Sequence, residues 1–185
     1  MENKESEKFV KSSVRWTPAL KRKALVIALE AERTAERLDA GVEKKFGTGE
    51  AFDEKGQPVC AFGCVLSAAH CLPEEVQRVM KMSKEELKKL IEEDEELYAI
   101  ENNVEAFAKS LGLNEEDVEY GKTETVTGES GYPYSSTPPS TLRLTCDRVG
   151  EANDDTKSGW ERRRKKIAKA LRNFSKALLQ DSGLL

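Results

Sequence analysis

Two stretches near opposite ends of this chain constrain its fold most: each carries apolar side chains at helical spacing inside otherwise charged sequence. In the first, Leu20, Ala24, Ile27, Ala28, Ala31 and Leu38 recur between lysines, arginines and glutamates. In the second, Trp160, Ile167, Leu171, Phe174 and Leu178 form a narrow stripe on a basic background. Such spacing places apolar groups on one face of an α-helix, and that face must be covered. Hydrophobic residues make up only 38% of the 185 and charged residues 35%, so the core is modest and needs these stripes. The expected fold is mainly α (α+β): one compact helical domain over residues 13–180, with a single small β-hairpin and a disordered arm over residues 1–12.

Local signals set the elements. Thr17-Pro18 starts the first helix, with threonine able to cap free N–H groups and proline favoured at the first helical position; Gly41 ends it. Residues 47–60, GTGEAFDEKGQPVC, have turn chemistry at Asp53–Gly56, and a hairpin is expected there with Pro58 confining its second arm to an edge. A helix is expected from Cys60 to about Cys71. Ser83 and Glu86 form a capping box, as do Ser158 and Glu161. Val104, Phe107, Ala108 and Leu111 mark a helix closed by Gly112, and Leu142, Cys146 and Val149 mark another ending at Gly150. Residues 121–140, rich in Gly, Ser, Thr and Pro, read as a long loop that carries Tyr132 and Tyr134 as exposed aromatics and a binding surface.

Three of the four cysteines and the only histidine crowd into PVCAFGCVLSAAHC, residues 58–71. Cys60 at a helix start could hold a lowered thiol pKa. A cysteine nucleophile also needs a base within about 3 Å, and ten helical residues put His70 roughly 15 Å away along the axis. Zinc ligands would be scattered along the same axis, so neither a metal nor a cofactor is expected. The favoured reading is a close-packed helix with Cys60, Cys64, Ser67 and Cys71 on one small-residue face. Cys60 acting with a carboxylate remains the one catalytic alternative.

The order Val-Cys-Ala-Phe-Gly-Cys-Val-Leu, a later Leu-Gly-Leu, then Asn-Asp before an amphipathic helix resembles a family of small tailed-phage and prophage proteins. Members carry an early Cys-x-Leu-Gly-x-Leu and a late Asn-Asp. The matching positions are Cys60, Ala61, Gly63 and Leu66, then Leu111-Gly112-Leu113, Asn153-Asp154, Trp160 and Ile167-Ala168. Phe62 stands where the family has leucine, the Trp-to-Ile spacing is about a turn longer, and the basic run Arg162–Lys166 is not part of the pattern. The resemblance implies a fold and a phage setting and supplies no mechanism. Cys60, Gly63, Cys64, Asn153, Asp154 and Trp160 would be its structural motif. Asn153 would satisfy amides at the Cys60 helix start, and Asp155 or Ser158 would cap the last helix. A polar site for a metal or small molecule beside Cys60 is the alternative.

The net charge of −4 hides segregation: residues 74–120 carry 15 acidic and 6 basic side chains, and residues 161–185 carry 2 and 8. Either the basic helix lies against acidic helices, or one pole is an interaction surface. No apolar run approaches the roughly 20 residues of a membrane span. The cysteines do not read as a disulfide framework and the first residues do not read as a secretory signal, so a reduced cytoplasmic setting is expected. Three functions follow. The first is a non-enzymatic accessory factor binding a host protein, for host takeover or counter-defence. The second is nucleic-acid binding across residues 161–176 through Arg162, Arg163, Arg164, Lys165, Lys166 and Lys169. The third is the Cys60 enzyme.

Overall fold

The computed structural model describes residues 8–93, 100 and 102–185. Among them are eight α-helices: α1 (Pro18–Ala40), α2 (Ala61–Ala68), α3 (Glu74–Met80), α4 (Lys84–Glu93), α5 (Asn103–Leu111), α6 (Glu115–Glu119), α7 (Thr141–Asp154) and α8 (Gly159–Asp181). One antiparallel ribbon, β1 (Glu124–Thr127) and β2 (Pro133–Ser136), lies between α6 and α7. The fold is mainly α with a small hairpin, as the sequence pattern predicts.

The two striped helices are the long ones, and they pack on each other. Thr17 caps α1 by accepting from the Leu20 amide at 3.3 Å, and Gly41, at φ 73°, terminates it. α8 runs antiparallel to it. The Ser175 hydroxyl donates to the Ala28 carbonyl at 3.1 Å, and the Arg164 guanidinium donates to the Leu38 and Asp39 carbonyls at the α1 C-terminus. Alanines 24, 28, 31 and 35 line the buried face of α1, which lets Ile167, Leu171, Phe174 and Leu178 of α8 come close. α7 covers another side of α8, and α2 and α5 close the core through Phe62 and Phe107. These two rings and Phe174 meet edge-to-face at 5.0–6.4 Å, an arrangement favoured by their quadrupoles.

The chain departs from expectation at several places. The hairpin is not at 47–60. Asp53 does nucleate a turn, its carboxylate accepting from the Lys55 and Gln57 amides at 2.9 and 2.7 Å. Only the Phe52–Pro58 bridge forms across it, since Pro58 offers no N–H to extend a ladder. The ribbon falls instead inside 121–140, where Thr125, Val126 and Thr127 supply β-branched side chains and Gly131 takes φ 79° in the turn. The disordered arm expected over residues 1–12 does not extend through Val10 and Ser12. Residues 1–7 lie outside the described residues, but Val10 exchanges hydrogen bonds with Thr141, and Ser12 is buried. The Ser12 amide and hydroxyl and the Trp16 indole N–H all donate to the buried Asp181 carboxylate, at 2.6, 2.5 and 2.8 Å. Those bonds fasten the start of the chain to the end of α8. Finally, α2 stops at Ala68, because His70 enters the left-handed region at φ 53°.

Candidate functional site: the Cys60–Asn153 junction

Cys60 is the N-cap of α2. Its Sγ accepts from the Gly63 amide at 3.5 Å, and its S–H donates to Asn103 Oδ1 at 3.6 Å. Asn153, near the end of α7, supplies the other cap. Its Oδ1 accepts from the Ala61 amide at 3.2 Å, and its Nδ2 donates to the Gly47 carbonyl at 2.8 Å. The expectation that Asn153 satisfies the α2 amides therefore holds. Asp154 pins the same loop, accepting from the Gly49 amide at 3.0 Å. Gly63 is needed because a Cβ there would stand 2.0 Å from the Ala51 carbonyl oxygen. Trp160 packs edge-to-face on Phe46, and Arg163 donates to the Phe46 and Gly47 carbonyls. Cys60, Gly63, Asn153, Asp154 and Trp160 thus surround one segment, residues 46–51.

A cleft of about 430 Å³ opens beside this junction, lined by Cys60, Asn102, Asn103, Asp147, Glu151 and Asp154 among others. Its charged side chains are all carboxylates. The buried amides at its floor are already bonded: Asn103 Nδ2 reaches the Cys146 carbonyl at 3.4 Å, and Asn153 is bonded at both ends. The sequence reading did not place Asn103, Asp147 or Glu151 here. The Asn102-Asn103 pair before an apolar helical run was the available signal, since Asn102 caps α5 by accepting from the Val104 amide at 2.8 Å.

The cysteines are poorly suited to nucleophilic or ligand chemistry. Burial pushes the Cys60 thiol up, and the Asp154 carboxylate adds to that rise. Burial pushes Cys64 up to about 11, with the Cys60 and Glu43 charges contributing, and also raises Cys71 and Cys146. The thiolate, which does the chemistry, is disfavoured at all four. His70 is exposed and outside the helix. No three His, Cys, Asp or Glu side chains among the described residues converge as a metal site.

The small-residue face also needs correction. The buried side of α2 is Ala61, Phe62, Val65 and Leu66 with Gly63, while Cys64 and Ser67 are half-buried and Cys71 lies past the helix end. The close approach is made at Gly63, and Cys64 borders it without forming it.

The basic helix is partly consumed by the fold. Arg163 is buried against Phe46, Gly47 and the Trp160 ring, so it cannot reach a phosphate. Arg164 joins Glu161 and the α1 carbonyls, Lys166 pairs with Asp155, and Arg172 pairs with Glu32 and Asp39. Among the described residues the acidic partners of α8 are its own Glu161, residues of α1 and Asp155 in the α7–α8 connection, and part of the 74–120 segment that the sequence suggested lies outside the described residues. Asp155 accepts from Ser158 as well, so Ser158 does not cap α8, and Glu161 turns to Arg164 in place of the expected capping box. Arg162, Lys165 and Lys169 remain exposed along one side.

Tyr132 and Tyr134 sit at the end of the β1–β2 ribbon, 75% and 54% exposed, and Val126 faces Tyr134 across the strands at 37%. The base of the ribbon is held by the Ser12–Gly121 and Tyr120–Pro139 bridges.

Fold and site together define a helical domain with a polar capping junction and a projecting β-ribbon. No protein-family model, curated protein or solved structure matches the chain.

Proposed function

We propose that this protein is a non-enzymatic accessory factor, of the phage kind its motifs resemble, that acts in the host cytoplasm by binding and modulating a host protein. Its contact element is the β1–β2 ribbon. The observation that carries this reading is the exposure of Val126, Tyr132 and Tyr134 on a two-stranded element whose β1 residues are all exposed. A bare two-stranded ribbon is marginal in water, and tyrosines are enriched where partners dock. The fastened base fixes the direction in which the ribbon projects, which lowers the ordering cost of binding. No helix among the described residues is long and apolar enough to cross a membrane.

The test is a photocrosslinking amino acid at position 132, with capture from host lysate, run against a Tyr132→Ala/Tyr134→Ala variant of equal melting temperature. One host protein should crosslink at position 132 and be lost from affinity capture by the double variant. Equal capture by both proteins, or no crosslink, would end the proposal.

A second reading, nucleic-acid binding, is favoured by the exposed Arg162, Lys165 and Lys169 on α8. It predicts anisotropy binding that weakens with salt and disappears when those three are changed to glutamine. Salt-independent or absent binding removes it.

A further inference from the structure

The outer face of α1 bears three neighbouring aliphatic side chains with no cover: Leu25, Val26 and Leu29, at 41%, 42% and 49% exposure. At 100° per residue, Arg22, Leu25, Val26, Leu29, Arg33 and Glu36 fall within an arc of about 100°. That arc lies opposite the buried Ala24, Ile27, Ala31 and Leu38, and all six residues are exposed. Within the arc Arg33 pairs with Glu30, and beside it Arg37 pairs with Glu43 and Glu32 and Asp39 with Arg172, while Lys21 and Lys23 flank the arc on either side. Arg22 and Glu36 have no ion-pair partner among the described residues.

These two unpaired charges have opposite sign and stand seven residues to either side of Leu29, about 10 Å along the axis each way. A two-fold axis at Leu29 sets Arg22 of one copy level with Glu36 of the other. We propose that the protein forms a symmetric dimer through this face, with α1 antiparallel to α1 of a second copy. Leu29 then packs on Leu29 of the second copy, and Leu25 lies along the aliphatic stem of its Arg33. Arg22 faces Glu36, and the symmetry makes that ion pair twice. The occupant is a second copy because Leu29 meets itself and the unpaired Arg22 and Glu36 charges of the arc complement each other about it, as a closed two-fold interface requires. One helix face gives a contact below the roughly 800 Å² per partner of standard assemblies. The dimer is therefore reversible, with a Kd on the order of 10–100 µM.

Sedimentation velocity on the full chain from about 1 to about 500 µM should show a monomer–dimer equilibrium in that range. Leu29→Glu should abolish it. Arg22→Glu or Glu36→Arg alone should raise Kd about tenfold, since each sets like charges together twice, and the combined swap should return it to within about threefold of the original. All three positions are exposed, so the melting temperature should not move. A chain monomeric throughout the range, a dimer unaffected by Leu29→Glu, or a double swap no tighter than either single change would each overturn the proposal.

Discussion

Replacing Asn153 by alanine tests whether the junction holds the fold together. The side chain is 1% exposed and joins three elements: it accepts from the Ala61 amide at the start of α2 and donates to the Gly47 carbonyl and to Asp154. Truncation leaves the buried Ala61 N–H without a partner, which costs about 1–3 kcal/mol. The Gly47 carbonyl keeps Arg163, so its loss is small. A modest void adds about 1 kcal/mol, giving roughly 2–4 kcal/mol in all. For a chain of this size that is a fall in Tm of about 5–12 °C. Urea unfolding followed by circular dichroism measures the change, and the labelling rate of Cys60 reports the same opening locally. Asn153→Asp separates the two roles. It keeps an acceptor for Ala61 but turns a carboxylate toward the Gly47 carbonyl and beside Asp154, so it should cost at least as much. A loss under about 0.5 kcal/mol for Asn153→Ala, or an Asn153→Asp protein as stable as the parent, would refute the capping role.

Gly63→Ala should destabilise by about 3 kcal/mol or more, read from urea midpoints, because the new methyl would stand 2.0 Å from a backbone oxygen that cannot swing aside. Asp181→Asn should cost about 3–5 kcal/mol and red-shift tryptophan emission, since an amide NH₂ would face the donors Ser12 and Trp16 in a buried site. Iodoacetamide labelling of folded protein should modify half-buried Cys64 before Cys60 and Cys146, tracked by peptide mass spectrometry. A raised thiol pKa means less thiolate at neutral pH, so the Cys64 rate should climb about tenfold per pH unit from pH 8 and level off only near 11. Fast labelling of Cys60 at neutral pH would reopen the enzymatic reading.

What was legible in the sequence follows from the range of the forces involved. The α1 and α8 stripes, the Thr17 cap, the Gly41 stop and the Ser83–Glu86 box are local, and all appear where spacing and side-chain type put them. The pairing of Asn153 with the α2 start was also accessible, because a capping donor problem has few solutions. The misplaced hairpin shows the limit. Residues 47–60 and 121–140 both carry turn chemistry, and the choice between them depended on Pro58 against Thr125–Thr127. The roles of Arg163 and Asp181 were not readable at all. Each looks like one more charge on a helix until long-range packing brings backbone carbonyls, or Ser12 and Trp16, to meet it.

A small core in a highly charged chain leaves the positioning of elements to polar clips at their ends. Ser12 and Trp16 on Asp181 tie the N-terminal segment to α8, Arg164 closes the α1 C-terminus, and Ser140 joins α7 to the Val118 carbonyl. Asn153 and Asp154 tie the end of α7 to α2 and its leading loop. Polar bonds of this kind contribute little net stability when made and cost much when half-broken, so they select one arrangement more than they deepen it. Charges engaged and covered in this way are withdrawn from a partner, as Arg163 and Arg164 illustrate on the helix that most invited a nucleic-acid reading. The surfaces left for association are those the clips do not use. These are the tyrosine-bearing ribbon, the Arg162–Lys165–Lys169 edge of α8, and the aliphatic face of α1 with its two unpaired flanking charges. The α1 face sets Arg22 opposite Glu36 about Leu29 when paired with its own copy, which is why self-association is proposed there and a foreign partner is proposed for the tyrosine-bearing ribbon.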